Sequence, residues 1–301
     1  MTKVLITGCN GQLGNELQRI IREGRAEIGP IDPIWSAAEV VPTDVDTLDI
    51  TDADAVSRFC EEGRFDVIVN CAAMTNVDGC EVMEDVAHKV NALAPRNLAR
   101  AAQATGARIV QVSTDYVFPG TDPRPRVETD EPAPISAYGR TKLDGERLVA
   151  EACERHLIMR TAWLYGYVGH NFVRTMMGLG ETHDHVTVVD DQMGNPTSAN
   201  DLAYEILKVA ATDGYGIYHC TNEGTCSWAD FAAAIMEGAG LDCEVCRCTS
   251  DEYAAAHPDA AHRPAFSSLD NAHLAATVGD EMRPWHDALD SFLGNLNKME
   301  G

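Results

Sequence analysis

Tyr138 and Lys142 stand four residues apart in YGRTK, a spacing that puts a phenol and an ammonium on one face of a helix. A free phenol titrates near about 10 and relays protons poorly at neutral pH. A nearby ammonium favours the phenolate, so the pair is expected to lower the tyrosine pKa and make it a usable acid or base. Upstream, Thr114 closes the run RIVQVST, where a strand would deliver a hydroxyl beside the pair. Thr114, Tyr138 and Lys142 are the candidate catalytic set. Spacing alone does not single them out. Tyr204 and Lys208 repeat it in YEILK, but no strand-end hydroxyl precedes them, and that copy reads as an ordinary surface helix.

A second chemistry is written at the start of the chain. Val4, Leu5 and Ile6 form a short aliphatic run suited to a strand buried on both faces of a parallel sheet. Gly8, Gly11 and Gly14 follow, and Leu17, Ile20 and Ile21 then keep a helical period. Glycines in that place allow a sharp turn, close approach of a pyrophosphate and tight packing of helix on strand. The helix start behind them presents free N–H groups and a positive dipole end to phosphate. Strand, glycine turn and helix together predict a dinucleotide site.

These groups need a frame that brings strand ends together. Strand and helix alternate through the first two-thirds: strands over 39–42, 66–70, 108–112 and 157–160, helices over 52–62, 81–105 and 136–153. The 81–105 helix should be interrupted near Asn91, because Pro95 disfavours helix at the residue before it. Residues 25–38 look like an insertion, and 119–134 form a proline-rich loop. Beyond about 165 the rhythm loosens. The expected fold is α/β, a doubly wound parallel (Rossmann) sheet over 1–165. Residues 166–301 would be mostly a smaller, partly interleaved substrate lobe over the carboxyl ends of the strands, with some segments returning to the sheet.

Composition narrows the partners. Of 301 residues, 47 are acidic and 23 basic, a net charge of −24. With no basic surplus to neutralise phosphates, nucleic acid and anionic membranes are excluded as expected partners. No leader and no membrane-spanning run is legible, which points to the cytoplasm. Ten scattered cysteines suit reduced thiols rather than a disulfide scaffold. Cys243, Cys246 and Cys248 lie close together, but no fourth ligand completes a zinc set, and they read better as a cysteine-rich edge strand. No metal ligand is assigned.

The motifs GCNGQLG, DVIVNCAA (66–73), STDYVF (113–118), YGRTK and RTAWLYG (160–166) resemble the extended short-chain dehydrogenase/reductases, and within them the dTDP-4-dehydrorhamnose reductase family. DDQMGNPT (190–197) and RPAFSSLD (263–270) carry the likeness through nearly the whole chain. The resemblance implies NADPH or NADH as cofactor and a nucleotide-linked keto-sugar as substrate. Gly11, Gln12 and Leu13 would hold the pyrophosphate, Asp49 and Ile50 would lie along the adenine, and Ala73, Met74 and Thr75 along the cofactor's middle. Tyr138 would protonate the C4 oxygen, Lys142 would hold the nicotinamide ribose, and Thr114 would bond the developing alkoxide. Asp115, Trp163, Asn171 and Arg263 would contact the substrate. The family also allows a homodimer and a Mg²⁺ at its contact, for which no ligand set is legible.

Departures and rivals follow from the same residues. The 25–38 stretch pushes the candidate ribose acid, Asp44, further from Gly8 than the usual spacing of about twenty residues. Val45 follows it, so no arginine clamp for a 2′-phosphate is visible. A regulatory subunit of methionine adenosyltransferase shares fold and motifs without turnover. Another nucleotide-sugar reductase or an epimerase would also keep the triad. A 4,6-dehydratase would need a second carboxylate after the Asp, where Tyr116 stands.

Overall fold

A computed structural model describes residues 1–300, with side chains described through Leu296. Its strands of four or more residues are β1 (Lys3–Thr7), β2 (Glu39–Thr43), β3 (Val67–Asn70), β4 (Arg108–Thr114), β5 (His156–Thr161), β6 (His185–Val189), β7 (Gly216–His219) and β8 (Glu244–Cys248). The helices used below are α1 (Gln12–Glu23), α2 (Ala53–Gly63), α3 (Ala94–Thr105), α4 (Ala137–Ala152), α5 (Phe172–Gly180), α6 (Ala199–Ala210) and α7 (Trp228–Ala239). Six strands make one parallel sheet in the order β7-β5-β4-β3-β1-β2. Pro42, which has no N–H to give a ladder, sits on the edge strand β2.

Alternation along the strands sorts side chains to two cores. Val4 and Ile6 face one side, where they join Leu17 and Ile20 of α1 and Leu202 and Ile206 of α6. Leu5 and Ile68 face the other, with Val56 of α2, Leu98 of α3 and Val149 of α4. Both faces are therefore helix-covered, which is why these strands read as unbroken aliphatic runs. A third core, built from Tyr165, Val173, Val186, Phe231, Trp285 and Phe292, lies in the later part of the chain. There β6 and β8 pair in parallel, so the cysteines of β8 lie on a two-stranded sheet. All ten cysteines are free thiols. Among the described residues no cluster of His, Cys, Asp or Glu is arranged to hold a metal ion, and no helix is long and apolar enough to cross a membrane.

Two expectations need correction, while the interruption of the helix expected near Asn91 is present, as a π turn and not as a break in the chain. Residues Lys89–Leu93 widen into a π turn, with Ala94 N donating to Lys89 O, and Ala94 keeps right-handed helical angles in front of Pro95. Proline cannot donate to the Asn91 carbonyl four residues back. That carbonyl instead lies where Gly145 of α4 packs so closely that a Cβ there would come within 2.2 Å of it. Residues 25–38 are packed rather than merely inserted: Trp35 is buried and its Nε1 donates to the Leu207 carbonyl at 3.1 Å. The helix bearing Tyr204 and Lys208 is no surface helix either. Ten of its twelve residues are buried, and those two are the part-exposed remainder.

Candidate active site

The glycine turn is held by contacts that no larger residue permits. Gly8 has φ +64°, and a Cβ there would stand 2.7 Å from Ala72 N; one on Gly14 would stand 2.4 Å from the Gly8 carbonyl. Gly11 caps α1 without a side-chain hydrogen bond, and the first turn of that helix carries no acid. Its N–H groups and dipole are thus open to a phosphate. In front of them lies a cavity of about 480 Å³ lined by Gly8, Gly11, Gln12, Leu13 and Gly14 on one side and by Thr114, Asp115, Tyr138 and Lys142 on another. Ala73, Thr75, Trp163 and Asn171 also line it. A second cavity of about 330 Å³ shares Gly8, Gly11 and Ala73 with the first and adds Asp44, Asp49 and Ile50. The two make one cleft with a phosphate cradle at its middle, a shape that fits a dinucleotide.

Strand β4 runs on through Ser113 and Thr114, which pair with Arg160 and Thr161 of β5, so Thr114 is fixed by the sheet itself. Its hydroxyl donates to Asp115 Oδ1 at 2.9 Å and accepts from Tyr116 N at 3.2 Å. Ser136 caps α4 by accepting from Gly139 N at 3.1 Å, and this sets Tyr138 in the first turn. The Tyr138 hydroxyl faces that of Thr114 across the cavity they both line. Lys142 is buried, and its Nζ donates to the Val112 carbonyl at 2.6 Å.

The titration behaviour differs from the sequence argument. Burial pushes the Tyr138 phenol well above its ordinary value, helped by the charge of Asp115 and opposed by Thr114. The lowering expected from Lys142 is absent: that ammonium is not among the groups acting on the phenol, and its Nζ is turned to the Val112 carbonyl. Burial also brings Lys142 down to about 8, against the raising effect of Glu146 and Cys71. Asp115 is pushed up to about 6 by burial, and its Oδ2 is buried without a hydrogen bond. At neutral pH the site therefore holds a protonated phenol beside a cationic lysine, the state a proton donor requires.

The remaining expected residues fall into different places. Trp163 lines the cavity with φ +46°, a strained angle for a large side chain, and its indole stacks on Trp228 with centroids 3.6 Å apart. Asn171 is committed within the protein: its amide donates to Gln12 Oε1 and to the Gly166 carbonyl, both at 2.9 Å, and its oxygen caps α5. It ties the glycine turn to the later lobe. Met74 lines neither cavity. Asn91 pins its backbone by bonds of 2.8 and 3.1 Å, and its side chain packs on the cluster of Cys80, Ala87 and Ala137. Arg263 also lies outside the cavity lining, paired with Asp78 at 3.2 Å and facing Tyr116. Sequence reasoning missed Asn91, Glu146 and Arg160, whose partners lie on other elements; a polar residue inside an apolar helical or strand period was the only signal.

Tyr204 and Lys208 do separate work. Both bond Glu281, at 3.1 and 2.7 Å, and so fasten the 279–281 turn onto α6. Tyr204→Phe is expected to leave turnover within about twofold, the loss of one exposed hydrogen bond. Steady-state rates of the variant check this, and a large drop would mean that the wrong tyrosine has been chosen.

A doubly wound parallel sheet with a glycine turn after its first strand, and a threonine, tyrosine and lysine gathered at its carboxyl edge, defines a short-chain dehydrogenase/reductase of the extended kind. The chain belongs to the family described as RmlD substrate binding domain, which it matches over residues 1–298. It is 40% identical to the dTDP-4-dehydrorhamnose reductase of Mycobacterium tuberculosis, covering 97% of this chain and 92% of that one. The crystal structure of a dTDP-4-dehydrorhamnose reductase from Clostridium acetobutylicum superposes with a TM-score of 0.91 at 48% identity, over 98% of this chain and all of that one. The Bacillus anthracis reductase, solved in complex with NADP, gives a TM-score of 0.90 at 39% identity, again over 98% of this chain and all of that one.

Proposed function

We propose that this protein is an NAD(P)H-dependent oxidoreductase that reduces the C4 ketone of dTDP-4-dehydro-L-rhamnose to give dTDP-L-rhamnose. The observation that carries the reading is that Thr114, Tyr138 and Lys142 line one cavity with the glycine turn. When bound, a reduced nicotinamide supplies hydride to C4. Tyr138, kept protonated by its burial, donates its phenolic proton to the C4 oxygen. Thr114 turns its hydroxyl proton from Asp115 to that oxygen as charge develops there. Lys142 holds the ribose hydroxyls, and the helix start at Gly11, Gln12 and Leu13 holds the pyrophosphate. Asp49 and Ile50 flank the adenine, and Ala73 and Thr75 form the wall along the cofactor's middle, with Met74 behind it. Asp115 and Trp163 bind the sugar, while Asn171 and Arg263 act from its edge, the first by bracing Gln12. Residues 166–301, apart from α6 and β7, form the substrate lobe. The protein acts in the cytoplasm as a homodimer, and light scattering of the purified chain reads the oligomeric state.

Loss of reduced-nicotinamide absorbance on adding enzymatically generated dTDP-4-dehydro-L-rhamnose tests the reading. Tight cofactor binding with no turnover would move the assignment to another keto-sugar or to a non-catalytic partner protein. The same assay with NADH and NADPH bears on Asp44. Its carboxylate accepts from Asn10 N at 3.2 Å, beside the cavity it shares with Asp49, and no Lys or Arg lines that cavity among the described residues. Asp44→Asn is expected to raise kcat/KM for NADPH over NADH roughly fivefold, about the effect of one like-charge contact in water. An unchanged ratio would remove Asp44 from the ribose site.

A further inference from the structure

Behind the candidate site lies a buried charge cluster that the reaction as described does not use. Glu146, one helical turn beyond Lys142 on α4, takes a bidentate contact from Arg160, at 2.9 Å from Nε and 2.7 Å from Nη2. Its Oε1 also accepts from the Ser113 hydroxyl at 2.5 Å. Glu146 and Arg160 are each 2% exposed and Lys142 is 4% exposed. Taking such groups out of water costs several kcal/mol per ion, and an apolar pair of similar volume often serves stability as well or better. Stability alone is therefore a weak account of this cluster.

Its position offers a better one. Ser113 precedes Thr114 on β4, and Arg160 is its register partner on β5. Glu146 thus links the strand end that carries the hydroxyl to the helix that carries the phenol and the ammonium. The groups acting on Lys142 are Cys71, at the end of β3, and Glu146, on its own helix; the Val112 carbonyl of β4 accepts from it. Cys71 is an uncharged thiol, since burial pushes it up to about 12. Tyr138 is neutral as well. On the far side, His219 accepts from Arg160 at 3.4 Å, and burial beside that guanidinium brings it down to about 3, so it too is neutral. The negative charge acting on the Lys142 ammonium is that of Glu146.

We propose that Glu146 is a positioning residue that keeps Lys142 charged at working pH, with Arg160 and Ser113 fixing the carboxylate in place. The proposal rests on the reading of Lys142 as a ligand of the cofactor ribose. The sign is set by the direction of the interaction. A carboxylate favours the ammonium, so removing its charge makes Lys142 lose its proton at lower pH. Lysine charge is fully present below its folded pKa and is lost as pH rises through it. Cofactor binding should then weaken on the alkaline side, and earlier when the carboxylate is gone.

The test is NADH affinity by quenching of tryptophan fluorescence from pH 6 to pH 10, with turnover measured alongside. In Glu146→Gln the alkaline limb should move down by about one pH unit, while the Kd at pH 6 stays within threefold of wild type. Where Glu146→Gln leaves Arg160 unpaired and fails to fold, Glu146→Gln with Arg160→Met removes the whole pair, and the same limb should move the same way. Ser113→Ala keeps the charge and should leave the limb in place. A limb that stays put in the folded variant, or a weakening equal at every pH, would overturn the proposal and leave the cluster a packing feature. A wild-type curve flat to pH 10 would instead remove Lys142 from cofactor binding, and the proposal with it. Failure to reduce the keto-sugar would leave this binding curve readable, so the two failures are separable.

Discussion

Tyr138→Phe is expected to lower kcat roughly 10²- to 10⁴-fold, the contribution of a positioned general acid. The substitution removes one oxygen and keeps the ring, which packs edge-on against Tyr116 with centroids 5.8 Å apart. The helix cap at Ser136 and the Lys142–Val112 bond do not involve the phenol oxygen. Cofactor affinity should therefore stay within a few-fold, and the loss should fall on kcat rather than on binding. Steady-state kinetics paired with NADH titration separates the two. Retained turnover would take Tyr138 out of the proton-transfer role and leave the Asp115 carboxyl as the nearest replacement. Burial pushes Asp115 up to about 6, so it carries its proton on the acid side of neutrality.

Gly139→Ala should cost activity without touching any reacting group. A Cβ at that position would meet the Tyr116 carbonyl at 2.2 Å and Pro134 Cβ at 2.9 Å, closer than atoms can approach. Tyr116 belongs to the short turn Asp115–Val117 that follows Thr114. The start of α4 must therefore move off the very turn that holds Thr114 and Asp115. Displacements of about 1 Å in catalytic groups can cost about 100-fold, and a loss near that size in kcat is expected. Overpacking of this kind also lowers stability by about 1–3 kcal/mol. Kinetics with a thermal melt on the same sample check both, and a kcat within threefold of wild type would show that the helix start tolerates the shift.

Much of the frame was legible because it is local. A strand, a glycine turn and an amphipathic helix are read from neighbours in sequence, as are the aliphatic runs that a two-sided sheet requires. The three catalytic candidates were legible for a related reason: a strand end and a helical i,i+4 pair each fix geometry over a few residues. What failed depended on partners far along the chain. Asn91 reaches Met74 and Thr141, Arg263 finds Asp78, and Trp35 finds Leu207. No periodicity encodes such pairs. The direction of the Tyr138 shift failed because spacing gives the neighbour but not the burial, and burial is the larger effect. The helix at 199–210 was misjudged because its polar residues Asn200, Asp201 and Glu205 are buried with partners on other segments, so a polar face concealed a core position.

The most direct test of the account follows the hydrogen that is transferred. NADH deuterated at the transferring C4 position would be supplied with dTDP-4-dehydro-L-rhamnose, and the sugar product examined by proton NMR and mass spectrometry. The account predicts a gain of one mass unit and loss of the C4 proton signal in the product formed by the wild type, with product formation all but lost in Tyr138→Phe. Deuterium elsewhere in the sugar, or a product that takes C4 hydrogen from solvent, would contradict direct hydride delivery to the C4 ketone.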